Sequence, residues 1–158
     1  MRTRVIGLGN SILTDDGVGI YAARELSRRL VAAGLQHEVD IVESEVGGFA
    51  LMELMIGWDR VFLIDSVQFQ GLEPGTVIQI DPRDLHTSLR LKSVHDVDFP
   101  TVLELGKRLD LYMPAVIKIF GIQAKEVFDF GEGLSAAVQR GMLKAVEIVF
   151  SELDPKKN

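Results

Sequence analysis

The sequence predicts a single α/β domain, residues 1–158, built on a five-stranded, mostly parallel sheet with helices on both faces. Three observations carry that expectation. Strand-like and helix-like segments follow one another in the order βαβαββαβα, with no repeat, linker or low-complexity stretch between them. The run Arg60 to Ile64, RVFLI, is apolar without alternation, which marks a strand covered on both faces. The stretch Thr3 to Gly19, TRVIGLGNSILTDDGVG, passes from an apolar strand through a Gly-Asn turn and two carboxylates into a helix start. An open α/β sheet builds sites in that way, at the carboxyl end of its first strand.

Thr3 to Leu8 is the first strand. A helix from Gly17 to about Ala33 follows, because Val18, Tyr21, Ala22, Leu26 and Leu30 keep helical spacing while Arg24, Arg28 and Arg29 lie elsewhere on its surface. Asp15 and Asp16 suit the positive end of that helix, and Gly34 suits its C-terminal stop. His37 to Val42 alternates as a second strand, and Glu43 to Gly48 is a loop. Phe49 to Ile56 is a short apolar helix ended by Gly57. The third strand, Arg60 to Ile64, delivers Asp65 and Ser66 at its carboxyl end. Glu73-Pro-Gly75 is a turn before a fourth strand, Thr76 to Ile80. That connection leaves no room for a helical crossover, so the fourth strand is expected antiparallel to the third or as its direct neighbour. Asp81 to Val97, with His86 and His95, is the least regular segment. A helix from about Asp98 to Leu109 has Pro100 in its first turn, where proline is tolerated. Ala115 to Phe120 is the fifth strand, Lys125 to Gly133 a loop, and Ser135 the cap of a last helix through Leu153.

Composition excludes several kinds of chemistry. A net charge of −6 argues against a general nucleic-acid grip. With no cysteine there is no disulfide, no thiolate metal site and no thiol nucleophile. No apolar run approaches the roughly 18 residues that span a membrane. The chain enters a strand almost at once, which leaves no room for a signal peptide and makes a cytoplasmic protein the expectation.

The carboxyl ends of neighbouring parallel strands face one crevice. The first strand brings Gly9, Asn10, Asp15 and Asp16 there, and the third brings Asp65 and Ser66. His95 lies in an irregular loop able to fold over the same crevice. Two carboxylates and an imidazole form a mixed oxygen and nitrogen set that suits nickel, zinc or manganese and leaves coordination positions open. Spacing alone does not force the three together. Asp16 also reads as a charge serving the helix N-terminus, Asp65 as an acceptor for loop amides, and His95 as a loop-bracing histidine. His37 begins a strand and His86 sits beside a turn, so both are weaker candidates. Gly7-x-Gly9 has Ile12 where a dinucleotide fingerprint needs its third glycine, and Glu43 is only near the ribose-binding distance. There is no Walker A, HExxH or GxSxG motif. For a hydrolase, activated water is then the better nucleophile.

The run GLGNSILTDDGVG, then Ile64-Asp-Ser66, Ser93-Val-His-Asp96 and GIQ…GEGLSAAV, resembles the nickel-dependent maturation endopeptidases of the [NiFe] hydrogenases, in order and across nearly the whole chain. The resemblance implies a twisted five-stranded sheet of the phosphorylase/hydrolase-like kind. It implies a catalytic and metal-binding site of Asp16, Asp65 and His95. It also implies an acid-based, aspartyl-type protease that removes a C-terminal extension from the nickel-loaded hydrogenase large-subunit precursor. The nickel is carried by the substrate, and zinc or cadmium can take its place in vitro. The expected protein acts as a cytoplasmic monomer with no nucleic acid or membrane partner. Gly47-Gly48 is expected to border the peptide groove. Asp16 stands where the family often has Glu, and Glu45-Val-Gly-Gly-Phe49 lacks the Thr often found after the paired glycines. Two alternatives are a nucleotide-binding α/β protein using Gly7 and Gly9, and a hydrogenase chaperone that senses nickel without cutting.

Overall fold

The computed structural model describes residues 1–84 and 98–153. Five strands form one sheet in the order β2-β1-β3-β5-β4. They are β1 (Thr3–Leu8), β2 (Val39–Ser44), β3 (Arg60–Val67), β4 (Val77–Ile80) and β5 (Val116–Gln123). All neighbours are parallel except β4, which runs antiparallel to β5. The helices are α1 (Val18–Ala32), α2 (Gly48–Met55), α3 (Phe99–Arg108) and α4 (Ala136–Leu153). A short 3-10 turn, Thr14–Gly17, precedes α1.

The side-chain period of two along each strand divides the core into two layers. Val5, Phe62, Ile64, Phe120 and Ile122 face α1 and α4, where Leu26, Leu30, Val146 and Val149 pack against them. The rings of Phe62 and Phe120 meet edge to face in this layer, 6.1 Å between centroids. Ile6, Leu8, Val61, Leu63 and Ile119 face the other way, against Leu51 and Met55 of α2 and Phe99 and Val102 of α3. Asp98 caps α3 by accepting the Thr101 amide at 2.8 Å, with Pro100 in the first turn as expected.

Three expectations need correcting. The fourth strand runs opposite to β3, as expected, but is not its neighbour, because β5 lies between them and Val77 to Ile80 pair with Ile122 to Ile119. β3 does not stop at Ile64; Asp65, Ser66 and Val67 stay in the ladder opposite Gly121, Ile122 and Gln123. β2 lies two residues later than its alternation suggested, in register with β1 from Thr3–Val39 to Leu8–Ser44.

The strand order places the site. The chain leaves β1 through α1 to reach β2 on one side, then returns through α2 to β3 on the other. The winding therefore reverses at β1, and a crevice opens at the carboxyl ends of β1 and β3. The start of α1 lies directly on this part of the sheet. A Cβ at Gly19 would overlap the carbonyl oxygens of Leu8 and Ile64 and sit 2.7 Å from the Leu8 nitrogen. Glycine there lets the first turn of the helix rest on the backbones of both strands.

Candidate active site

Asp16, just after β1, bonds the hydroxyl of Ser66, and Asp65, the neighbour of that serine near the end of β3, bonds its amide. Asp16 belongs to the 3-10 turn after β1 and is 3% exposed. One carboxylate oxygen accepts the Asn10 amide at 3.0 Å, and the other accepts the Ser66 hydroxyl at 3.3 Å. Asp65, near the carboxyl end of β3, is 2% exposed and accepts the Ser66 amide at 2.8 Å. Ser66 thus donates its amide to one carboxylate and its hydroxyl to the other. Holding two carboxylates in so dry a place is costly unless donors or a cation answer them. His95 and His86 lie outside the described residues. Among the described residues no three acidic or imidazole side chains form a group able to hold a metal ion.

The geometry speaks to the nucleotide alternative. A phosphate held by a Gly-rich turn needs the turn amides and the helix start. Here the Asn10 amide already donates to Asp16, and a Cβ at Gly9 would overlap the Asp16 carbonyl oxygen. Glu43, near the ribose-binding distance, is instead gripped by the Arg24 guanidinium at 2.9 and 3.0 Å. That fork raises the Arg24 pKa above its ordinary value.

Asp15 has a different task from the one its position suggested. Its place before α1 suits the helix start, yet its carboxylate reaches across to the segment between β5 and α4. Fully buried, it accepts the amides of Lys125 and Glu126 at 3.0 Å, and the amide and hydroxyl of Ser135 at 2.8 and 2.9 Å. Backbone bonds extend the seam: Asp15 N to Glu126 O, Thr14 N to Gly131 O and Gly131 N to Ile12 O. The Thr14 hydroxyl donates to Asp129 O, and the Gly133 amide to the Tyr21 hydroxyl. Ser135 does precede α4, but its hydroxyl serves Asp15. Gln123 clips a third loop by a paired amide contact with the Phe69 backbone, at 2.9 and 3.1 Å. Sequence reasoning did not assign Gln123 or Ser135 to the site surroundings. Their only signal was membership of the GIQ…GEGLS motif. At the carboxyl ends of β1 and β2 opens a cavity of about 410 Å³, lined by Gly9, Ser11, Arg24, Glu43 and Glu45 among others.

A family model described as hydrogenase maturation protease matches residues 20–152. The chain belongs to the hydrogenase maturation proteases. Among relatives of this maturation protease is the hydrogenase expression/formation protein HupD of Rhizobium leguminosarum bv. viciae, 30% identical over 91% of this chain and 69% of that one. HupD of Thiocapsa roseopersicina is 28% identical over 94% of this chain and 66% of its own, so the chain spans about two thirds of the length of either HupD. The putative hydrogenase maturation protease MJ0253 of Methanocaldococcus jannaschii is 27% identical over 94% of both chains. Among solved structures, the [NiFe] hydrogenase maturation protease HybD from Thermococcus kodakarensis superposes with a TM-score of 0.72 at 28% identity, over 98% of this chain and all of that one. The hydrogenase maturating endopeptidase HybD from E. coli reaches 0.76 at 22% identity, over 97% and 92%, and shares the fold. A maturation protease is a peptidase, and the buried acids described above lie at the strand ends where this fold class builds its sites.

Proposed function

We propose that this peptidase removes the C-terminal extension of a nickel-loaded [NiFe] hydrogenase large-subunit precursor, the last step in maturing that subunit, and that Asp16, Asp65 and His95 are its metal-contacting residues. The observation that carries the proposal is the meeting of two nearly inaccessible carboxylates at one serine, at the point where the sheet reverses its winding. The nickel belongs to the substrate. The carboxylates of Asp16 and Asp65 supply hard oxygen donors, and His95, outside the described residues, supplies a nitrogen. A precursor without its metal presents nothing to these ligands, so binding energy depends on nickel and the unfilled precursor is left intact. Bond cleavage needs water at the scissile carbonyl and a proton returned to the leaving amine. One of the two carboxylates orients that water and relays the proton. The reading includes a monomer working in the cytoplasm; no helix among the described residues is long and apolar enough to cross a membrane.

Single replacements Asp16→Asn, Asp65→Asn and His95→Ala test the assignment. Each is expected to lower kcat/KM for release of the C-terminal peptide by about 10²–10⁴-fold, with the thermal transition retained. Normal processing by all three variants would remove these residues from the site.

A further inference from the structure

The segment that Asp15 holds in place carries two phenylalanines in water. Phe128 is 72% and Phe130 82% exposed, and Ile12, on the facing loop, is half exposed. Mobile loops often expose an apolar side chain at little consequence, but this loop is pinned. A fully buried carboxylate accepts three of its amides and one hydroxyl, and Leu13 and Gly131 form a bridge between the two loops. The Glu126 carboxylate also accepts the Phe128 and Asp129 amides, at 2.6 and 3.1 Å, fixing the backbone on either side of Phe128. Thr14, the neighbour of Asp15, is held at a positive φ of 46° to make the seam. Rigid, exposed aromatic side chains rimmed by polar groups are the composition of a protein-binding surface, since they bury much area at little entropic cost.

We infer that Ile12, Phe128 and Phe130 form a docking platform for the folded body of the large-subunit precursor, as distinct from its scissile tail. This inference rests on the function proposed above. Two features single out that occupant. The platform is continuous with the β1–α1 loop, which ends at Asp16 only four residues beyond Ile12, so a body seated there lies beside the crevice. The loop AKEVFDFGEG also carries Glu126, Asp129 and Glu132 against Lys125 alone, in a chain of net charge −6. The matching surface is therefore apolar at its centre with a basic rim. Docking the body on a preformed platform holds the tail in register without requiring contacts along the whole tail.

The test compares wild type with the double variant Phe128→Ser/Phe130→Ser, and with Leu109→Ser, an exposed apolar residue at the end of α3, as control. Cleavage of nickel-loaded full-length precursor is followed as a function of precursor concentration. The double variant is expected to raise KM at least tenfold, with kcat within twofold of wild type and an unchanged thermal transition; the control moves neither. A double variant with wild-type KM overturns the platform. So does a weakened kcat at unchanged KM, which would place the phenylalanines in the chemistry. A synthetic peptide of the extension that binds wild type and not the variant would assign the patch to the tail and overturn docking of the body. Sedimentation showing a wild-type dimer and a variant monomer would make it a self-interface and also overturn the proposal. If wild type itself releases no peptide, the proposed function fails, and that outcome is distinct from all of these. Should the double variant lose its thermal transition, Phe130→Ser alone, at the more exposed position, gives the same reading of KM.

Discussion

Replacing Asp15 with Ala would strand the amides of Lys125, Glu126 and Ser135 around an empty space. These donors are only part-buried, so each costs less, once water answers it, than the about 1–3 kcal/mol of a fully buried donor left without an acceptor. We expect about 3 kcal/mol of lost stability overall, seen as a lower urea midpoint at unchanged slope. Asp16 has the reverse profile. Asp16→Asn keeps an acceptor for the Asn10 amide but removes the charge, so stability holds and peptidase activity falls. Asp16→Glu keeps the charge on a longer arm and is expected to retain activity within about tenfold of wild type, a difference of roughly 1.4 kcal/mol. Glu126 makes a pH-dependent contribution. The Phe128 and Asp129 amides stabilise its carboxylate and lower its pKa below the ordinary 4.5. That support is fully present above 4.5 and is lost as pH falls through the lower folded value. Protection of the Phe128 and Asp129 amides, relative to their intrinsic exchange rates, should therefore fall in acid, and Glu126→Gln should lower it at neutral pH. The duty of Asp15 was not legible in the sequence, because its four donors lie about 110 to 120 positions away and leave no local pattern.

At the scale of elements, the helix and strand that frame the site were legible because their patterns are local. The α1 stripe and the Pro100 helix reappear within a residue, and RVFLI opens β3 at Arg60 as expected. What failed depended on distant partners. Asp65 and Ser66 look like a strand end because they are polar, yet β5 keeps their backbones in the ladder. The β4 position was misjudged because β5, which separates it from β3, arrives 36 residues after Ile80, at Val116. The contact between α1 and the sheet gives a prediction at this scale. Gly19→Ala drives a methyl into the Leu8 and Ile64 carbonyls, and is expected to cost about 3 kcal/mol or more. Gly34→Ala places its methyl in open space and pays only for a positive φ of 74°, about 1–2 kcal/mol. Parallel denaturant titrations separate the two; equal losses would show that the close approach of α1 is not what Gly19 protects.

For the whole molecule, the sheet order matters more than any single contact. The loop after β1 meets the end of β3 where the winding reverses, and the β5–α4 segment is sewn to that loop by Asp15. The candidate site was legible in the sequence as residue types at strand ends, and the fold explains why Asp16 reaches Ser66, the neighbour of Asp65, although 48 positions intervene between the two acids. The third residue, His95, was legible only through its motif. The central claim is that this peptidase reads the metal its substrate carries. It is tested most directly by presenting purified protein with the same large-subunit precursor, nickel-loaded and nickel-free, and following release of the C-terminal peptide by mass spectrometry. The account predicts release from the loaded form alone. Equal release from both forms would contradict it.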